Sequence, residues 1–349
     1  MVTTLSLISI SPLLTLLLNW RWASVTTSTA PARPGTAVDE LTVVVRQLRW
    51  EAEGVVSVEL GDPDGRELPP WRPGAHVELA LPTGISRQYS LCGTPGDRSR
   101  YRVAVRRERA GRGGSEYVHM FLRPGQRLRL RGPRDNFGFG QAPSYLFLAG
   151  GVGITPILPM VHQAAAWGVP WQLAYGGRTA ASMAFVDELR PYGDRVRLYP
   201  EDTDGRIPLA RWLDSLDAST DVYACGPEPL LAGVTDAGSG LRPGALHMER
   251  FKPRPKPARE ERPVKVECAR SGRTVEVPAG RSILSALQEA DVPVAASCRE
   301  GVCGTCETRV LDGEPDHRDD ILSEEDRAAG DRMFVCVSRA LSSHLVLDV

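Results

Sequence analysis

The sequence predicts a multidomain fold in three parts: an antiparallel β-barrel, an α/β domain with a parallel sheet, and a small cysteine-rich module. Three observations predict it. Short strand-like segments separated by glycine and proline turns fill residues 38–141, and strands alternate with helix-like stretches in residues 142–251. Four of the seven cysteines lie within the last 52 residues. A chain of 349 residues has room for three such domains.

Charge and cysteine usage narrow the function classes. The chain has 42 basic and 43 acidic residues, so its formal net charge of -1 does not indicate a nucleic-acid binder. Clustered cysteines in a chain without a clear export signal indicate a metal or redox site rather than a disulfide framework. We therefore expect a metal or redox centre. We also expect a cytoplasmic protein that is a monomer.

Residues 1–37 are interpreted as a disordered leader. Residues 5–20 are apolar but include Pro12, and no lysine or arginine precedes them. This segment is short for a bilayer span and lacks the charged start of a signal peptide. A stretch rich in Ser, Thr, Ala and Pro follows at residues 24–37. A membrane or export segment is the less favoured alternative.

The barrel domain carries a candidate flavin motif. We expect strands at 41–45, 55–60, 76–81, 101–105 and 127–130. The segment Arg87-Gln88-Tyr89-Ser90-Leu91 lies at the end of a barrel strand. A tyrosine ring can stack on an isoalloxazine, an arginine can neutralise phosphate and a serine can hydrogen-bond the ring. Without further context, the same residues are typical of an ordinary barrel face.

A second barrel motif suits a phosphate group. Gly113, Gly114 and Ser115 precede an expected helix at residues 116–122. Backbone amides at a helix N-terminus bind phosphate, and glycine permits close approach. The alternative is an ordinary loop with a serine N-cap.

The α/β domain carries two candidate nucleotide-binding turns. A strand at 145–149 leads into Gly150-Gly151-Val152-Gly153-Ile154-Thr155-Pro156 and a helix to residue 167. The turn departs from the G-x-G-x-x-G fingerprint at Pro156, but its position suits a pyrophosphate. A strand at 171–175 and a helix at 183–189 follow. The second turn, Cys225-Gly226-Pro227, ends another strand at the carboxyl edge of the sheet, where Cys225 alone would be read as inert core.

The linker and the last module complete the chain. Residues 252–263 contain four prolines and mixed charge, which is typical of a semi-rigid, solvated linker. Residues 264–349 begin with expected strands at 264–269 and 273–277 and a helix at 282–290. In this module Cys298, Cys303, Cys306 and Cys336 have the plant-type 2Fe-2S spacing, C-x4-C-x2-C followed by 29 residues and a fourth Cys.

The spacing of the cysteines has a chemical reason. A tight loop supplies three thiolates for two irons, and Gly301 and Gly304 let its backbone close around the sulfides. Structural zinc is the competing interpretation, although zinc more often uses paired C-x2-C knuckles. Cys268 lies outside the pattern and is expected to be a small buried side chain.

Taken together, these motifs resemble the ferredoxin–NADP reductase superfamily. The elements Arg-x-Tyr-Ser, Gly-Gly-Val-Gly-Ile-Thr-Pro and Cys-Gly-Pro match, and residues 296–306 resemble the cluster loop of plant-type ferredoxins. With a C-terminal plant-type 2Fe-2S ferredoxin domain, residues 38–349 are similar to the phthalate dioxygenase reductase and vanillate demethylase reductase family. The resemblance implies a β-grasp fold for the last module.

The resemblance also implies roles for single residues. FMN, favoured over FAD, would be held by Arg87, Tyr89 and Ser90, with Gly113, Gly114 and Ser115 at its phosphate. The nicotinamide nucleotide would be lined by Gly151, Gly153, Thr155, Cys225, Gly226 and Pro227, and Thr155 and Cys225 are the candidate catalytic residues. Phe251, in the segment Glu249-Arg250-Phe251, would place its ring near the flavin. NADH is favoured, but Arg178 leaves NADPH open, because an arginine there can accept a 2′-phosphate.

These parts predict an NADH-dependent oxidoreductase. A nicotinamide gives a hydride, a 2Fe-2S cluster accepts single electrons, and a flavin can connect the two. Neither a Cys-x-His pair of a Rieske centre nor a histidine and carboxylate triad is evident, so we expect oxygen activation on a separate protein. The resemblance implies that this partner is a Rieske-type aromatic oxygenase or demethylase. Arg299 and Glu300 are expected to flank that contact. The alternatives are the reductase of a haem monooxygenase and a non-enzymatic iron-sulfur redox sensor.

Overall fold

The computed structural model describes residues 40–257, 259 and 261–349, and the predicted leader lies outside them. The described chain forms a six-stranded sheet followed by two five-stranded sheets. None of the described helices is both long and apolar enough to cross a bilayer.

The first sheet is the predicted antiparallel barrel. Its strands are β1 (Glu40–Ala52), β2 (Val55–Gly61), β3 (Ala75–Ala80), β4 (Ser86–Ser90), β5 (Tyr101–Arg106) and β6 (Arg127–Asp135), in the order β4-β3-β6-β1-β2-β5. The two edge strands meet because Leu91 bridges Val103 and Cys92 N–H donates to the Arg102 carbonyl over 2.8 Å. Alternate apolar residues such as Val77 and Leu130 are fully buried inside the barrel.

A short helix follows the barrel strand β5. Helix α1 spans Gly114–Met120, two residues earlier than the sequence predicted. It begins after Gly113, whose φ of 85° favours glycine. The glycine pair therefore forms the entry to the helix rather than a loop before it.

The second sheet is entirely parallel, as predicted. Its strands are β7 (Ser144–Gly150), β8 (Trp171–Gly177), β9 (Val196–Pro200), β10 (Thr220–Cys225) and β11 (Leu246–Glu249), in the order β11-β10-β7-β8-β9. The helices are α2 (Ile154–Trp167), α3 (Val186–Leu189), α4 (Leu209–Leu213) and α5 (Glu228–Ala237). Neighbouring residues of β7 enter different cores: Phe147 packs on one face of the sheet and Leu148 on the other. Both faces are buried, as is usual for a parallel sheet.

The predicted helix at residues 183–189 is wrong in its first half. A single 3-10 turn covers Ala180–Ser182, and α3 begins only at Val186. Phe185 has a left-handed φ of 63°, which breaks the helix, while its side chain is buried in the core. Core packing of the aromatic ring outweighs helix propensity at this position.

The C-terminal module has its own mixed sheet and its own core. Its elements are β12 (Val264–Cys268), β13 (Arg273–Val277), α6 (Ile283–Glu289), β14 (Glu307–Asp316), α7 (Glu324–Ala329), β15 (Arg332–Phe334) and β16 (Arg339–Leu347). The strand order is β13-β12-β16-β14-β15, and α6 packs on the sheet as in a β-grasp fold. Ser282 caps α6 by accepting from Ser285 N–H over 3.1 Å. Cys268 is fully buried in this core, as expected.

The proline-rich linker is fastened to the module that follows it. Arg254 Nε donates to Asp320 over 2.7 Å, and Lys256 Nζ lies 3.2 Å from the same carboxylate. The Asp320 side chain is fully buried. Residues 252–257, 259, 262 and 263 are exposed, as expected, and the charge pairs hold Arg254 and Lys256 against the module.

Candidate redox site

The four cysteines of the C-terminal module form two close pairs. The thiol of Cys298 is hydrogen-bonded to Cys303, and this contact lowers the pKa of Cys303 to about 5 while raising that of Cys298. The second pair is Cys306 with Cys336, where the same sharing lowers the pKa of Cys336 and raises that of Cys306. Closely paired thiols of this kind can bind metal as thiolates.

The arrangement of the pairs favours two metal ions over one. Within the described ranges, no three His, Cys, Asp or Glu side chains are arranged around a single metal ion. Two cysteine pairs instead suit a 2Fe-2S core, in which each iron takes two thiolates. Structural zinc, the competing interpretation, would take four ligands around one centre.

The backbone of the cysteine loop also turns toward sulfur. Glu300 N–H donates to Cys298 Sγ over 3.3 Å, and Thr305 N–H lies 3.5 Å from Cys303 Sγ. Gly301 and Gly304 have φ values of +71° and +76°, a backbone conformation that favours glycine. Amide donors of this kind stabilise negative charge on a metal-bound thiolate.

Arg87 and the glycine pair of the barrel lie against each other. A Cβ added to Gly114 would be 2.7 Å from Arg87 Cγ, so the arginine side chain packs directly against this glycine. Burial and the nearby Arg112 guanidinium lower the pKa of Arg87. Two cations beside a helix entry form a place where a phosphate would be favoured.

The other predicted flavin residues lie on or near β4. Tyr89 is half-buried opposite Val77, and burial raises its pKa to about 12, so the phenol is neutral and its ring is suited to stacking. Ser90 is buried, while Ser115 Oγ accepts from Glu108 N–H over 3.0 Å, which leaves the hydroxyl proton of Ser115 to donate. The predicted flavin residues are thus brought to one end of the barrel.

The two nucleotide turns meet at the carboxyl edge of the parallel sheet. Strand β10 pairs with β7, and a Cβ on Gly153 would lie 2.2 Å from the Cys225 carbonyl oxygen. Gly150 and Gly226 also approach closely, because a Cβ added to Gly226 would lie 3.1 Å from Gly150 Cα. Glycine is therefore required where the turns touch, and their open side is the usual ligand position of this fold.

The two candidate catalytic side chains are both buried. Thr155 is 2% exposed, and its hydroxyl donates to the Val152 carbonyl over 2.9 Å. Cys225 is fully buried, and burial raises the pKa of its thiol, so it stays protonated. A protonated thiol suits a neutral contact residue and does not suit a nucleophile.

A buried carboxyl group beside Cys225 was not identified from the sequence as a titrating site. Glu249 ends β11 in register with Cys225, and burial, together with Asp135, raises its pKa to about 8. No pattern in the sequence signals the raised pKa, because it depends on the burial of this carboxyl group and on Asp135 of β6, which is distant in sequence. Phe251, two residues later, is 41% exposed, and Lys252 Nζ lies 3.9 Å from Glu108, which places this segment near the Ser115 turn.

The cysteine loop contacts β4, which carries the flavin motif, and β6. Gln88 Nε2 donates to Ser297 Oγ over 3.3 Å, and Arg134 Nη1 donates to Thr305 Oγ1 over 2.5 Å. His76 lies against the Cys303 backbone, and its burial beside Arg134 lowers its pKa to about 4. The loop and the flavin motif are thus in direct contact across a domain boundary.

The two residues expected to face a partner protein have different surroundings. Glu300 lies 3.2 Å from Arg112 of the barrel, so its carboxylate belongs to the contact within the chain. Arg299 is exposed and donates to Gln288 over 3.1 Å within its own module. A role for Glu300 toward a partner would require the ion pair with Arg112 to open.

Two family models match the chain. The 2Fe-2S iron-sulfur cluster binding domain matches residues 266–341, and the oxidoreductase NAD-binding domain matches residues 147–236. The first range includes all four cysteines of the paired set, and the second includes both glycine turns.

Several named proteins are similar in sequence or structure to most of this chain. The phenoxybenzoate dioxygenase subunit beta of Ectopseudomonas oleovorans is 41% identical, over 87% of this chain and 96% of its own. The phthalate dioxygenase reductase structure, described as a modular structure for electron transfer from pyridine nucleotides to [2Fe-2S], has a TM-score of 0.65 at 37% identity and covers 89% of this chain and 98% of its own. An intact type IV self-sufficient cytochrome P450 monooxygenase has a TM-score of 0.84 at 39% identity; the match covers 91% of this chain and 43% of that longer chain.

Proposed function

Because the chain belongs to the phthalate dioxygenase reductase family, we propose that it transfers electrons from NADH through FMN and a 2Fe-2S cluster to a separate oxygenase component. The chain is an oxidoreductase that takes electrons from a pyridine nucleotide and carries a 2Fe-2S domain. FMN would supply the step that accepts a hydride and releases single electrons.

The observation that carries the proposal is the contact between Gln88 and Ser297. Gln88 lies between Arg87 and Tyr89 of the flavin motif, and Ser297 precedes Cys298. A flavin held by this motif would therefore be adjacent to a cluster held by the cysteine loop. Short separation between redox groups is what fast electron transfer within one protein requires.

Each group of residues has a proposed role in this path. Arg87 and the amides of Gly113, Gly114 and Ser115 would bind the flavin phosphate, and Tyr89 and Ser90 would contact its ring. The nucleotide would bind at the open side of the two turns, in contact with Gly151, Gly153, Thr155, Cys225, Gly226 and Pro227, and the ring of Phe251 would lie near the flavin. The paired thiols would ligate the irons as Cys298 with Cys303 and Cys306 with Cys336.

Two preferences belong to the proposal. FMN is favoured over FAD because the Arg87 and Gly114 contact forms a compact site for a single phosphate. NADH is favoured over NADPH although Arg178 is exposed at the end of β8, because Asp202 N–H donates to its carbonyl and brings a carboxylate residue beside it. An acidic residue at this position favours a ribose 2′-hydroxyl over a phosphate.

The oxygenase is proposed to be of Rieske type. The similar chain from Ectopseudomonas oleovorans is a dioxygenase subunit by name, which supports that choice. The similarity to the cytochrome P450 chain supports a haem partner as the second candidate. A redox sensor is disfavoured, since a sensor has no need of the nucleotide turns. The monomeric state and cytoplasmic location stay predictions.

The test is reconstitution with purified oxygenases. The chain is mixed with NADH and either a Rieske oxygenase or a haem monooxygenase, and NADH oxidation coupled to product is measured. We expect coupled turnover with the Rieske enzyme and none when Cys303→Ser removes the cluster. Full-rate support by that variant would contradict the proposal, and coupling only to the haem enzyme would favour the second candidate.

A further inference from the structure

Arg134 connects the barrel to one cysteine of the cluster loop. It lies on β6 and is half-buried, and its Nη1 donates to Thr305 Oγ1 over 2.5 Å. The same hydroxyl oxygen is 3.3 Å from Cys303 Sγ, and Thr305 N–H is 3.5 Å from that sulfur. Guanidinium, hydroxyl and sulfur therefore form a continuous chain across the domain boundary.

Once Cys303 is a metal-bound thiolate, the direction of the middle contact is fixed. A thiolate can only accept, so the Thr305 hydroxyl would donate to the sulfur while it accepts from Arg134. An arginine keeps its charge even when partly buried. Burial lowers the pKa of Arg134, while Cys303 and Glu78 oppose that effect.

We propose that Arg134 is a positioning residue that acts through Thr305 on Cys303 and raises the reduction potential of the cluster while the module is docked on the barrel. The inference rests on the proposed function, because it requires that the cysteines hold the cluster. The step concerned is the transfer of one electron from the flavin side to the cluster, with no covalent bond made or broken. A nearby cation and a hydrogen bond to sulfur both favour the added negative charge.

The position of Arg134 gives this effect a direction. The arginine belongs to the barrel, whereas Thr305 and Cys303 belong to the C-terminal module. Docking would therefore make the cluster a better acceptor of an electron from the flavin side. Separation of the module would remove the guanidinium and make the reduced cluster a better donor to a partner.

The test is the midpoint potential of the cluster in the holoprotein. Arg134→Gln, Thr305→Val and the double variant are titrated chemically with dithionite and mediators, and the reduced cluster is followed by its paramagnetic signal. Arg129→Gln is the matched control, because Arg129 lies on the same strand and pairs with Glu40 over 3.2 Å.

We expect Arg134→Gln to shift the one-electron equilibrium about tenfold toward the oxidised cluster, which is about 59 mV more negative. Thr305→Val should shift it in the same direction, and the double variant should add less than the sum of the two, since both act on one chain of contacts. Arg129→Gln should leave the potential unchanged.

Two results would overturn the inference. The first is an unchanged midpoint potential in Arg134→Gln with the cluster intact. The second is an unchanged midpoint potential in Thr305→Val, which decides the matter if Arg134→Gln does not assemble a cluster. Because the titration uses no NADH and no oxygenase, a failure of this inference is distinct from a failure of the proposed function, which absence of any cluster signal in the unmodified protein would indicate.

Discussion

Gln88 Nε2 donates a hydrogen bond to Ser297 Oγ over 3.3 Å, across 209 residues of sequence. Its neighbours, Arg87 and Tyr89, carry the flavin motif, and Ser297 precedes the first cysteine of the cluster loop. The contact places the loop beside the end of the barrel where the candidate flavin residues converge. In the proposed path, an electron would then pass between neighbouring groups without diffusion of the module.

Replacing Cys303 by Ser should remove the cluster and leave the flavin. The unmodified protein should contain about two irons per chain, because four thiolates suit a 2Fe-2S core. Cys303 is one member of the Cys298–Cys303 pair, so its loss should abolish the paramagnetic signal of the reduced cluster. Iron content and the flavin spectrum measure the two outcomes.

The matched control is Cys268→Ser. Cys268 is fully buried in the core of the same module and lies outside the cysteine spacing. This variant should keep its iron and lose only some stability. Stoichiometric zinc in the unmodified protein, with no iron, would contradict the cluster assignment.

Gly114→Ala should weaken flavin binding. The added Cβ would be 2.7 Å from Arg87 Cγ and would displace the arginine from the phosphate position. Loss of a charged hydrogen bond costs about 1.5–3 kcal/mol, which is roughly a tenfold to hundredfold weaker affinity. Flavin affinity is measured by fluorescence on rebinding to the apoprotein. Gly96→Ala, an exposed site with no neighbour within 4 Å, is the control, and equal affinities in the two variants would contradict the assignment.

Gly153→Ala should separate the two nucleotide turns. A Cβ at this position would lie 2.2 Å from the Cys225 carbonyl oxygen, so either this turn or the end of β10 must shift. Overpacking of this kind costs about 1–3 kcal/mol of stability. We expect a raised KM for NADH together with a lower Tm. Gly240→Ala, where no atom lies within 4 Å, should change neither, and an unchanged KM in Gly153→Ala would place the nucleotide elsewhere.

Glu249 should make stability fall as the pH rises. Burial raises its pKa from 4.5 to about 8, so between these values the folded state binds more protons than the unfolded state. Its contribution is complete below pH 4.5 and is lost as the pH rises through about 8. Each unit of pKa difference corresponds to about 1.4 kcal/mol.

The measurement for Glu249 is a difference between two proteins. The free energy of unfolding of the α/β domain is measured by denaturant titration from pH 5 to 9 for the unmodified chain and for Glu249→Gln. The neutral amide should flatten the decline with pH that the unmodified chain shows. Parallel curves for the two proteins would mean that the Glu249 carboxyl does not carry a raised pKa.

Local chemistry made much of the site predictable from the sequence. The cysteine spacing indicates a 2Fe-2S cluster. The two glycine turns lie where strands end, so their meeting at one edge of the sheet follows from parallel topology. The prediction of a helix at 183–189 was wrong because Phe185 has a left-handed backbone conformation. That conformation accompanies the burial of its ring in the core, which helix propensity does not predict.

The contacts between domains could not be predicted. Glu300 was expected at a partner interface, yet it pairs with Arg112, and the solvated linker is fastened through Arg254 to the buried Asp320. Both contacts depend on how folded domains pack, and no local pattern encodes that. For the same reason, nothing in the sequence indicated that Arg134 contacts the cysteine loop.

The measurement that tests the central claim most directly is anaerobic stopped-flow mixing of the holoprotein with NADH. Absorbance is recorded where the flavin and the cluster can be distinguished, in the unmodified chain and in protein depleted of flavin. The flavin should be reduced first and the cluster second, and flavin-depleted protein should show no cluster reduction. Cluster reduction that precedes the flavin, or that continues at full rate without it, would contradict the proposed path from nucleotide to flavin to cluster.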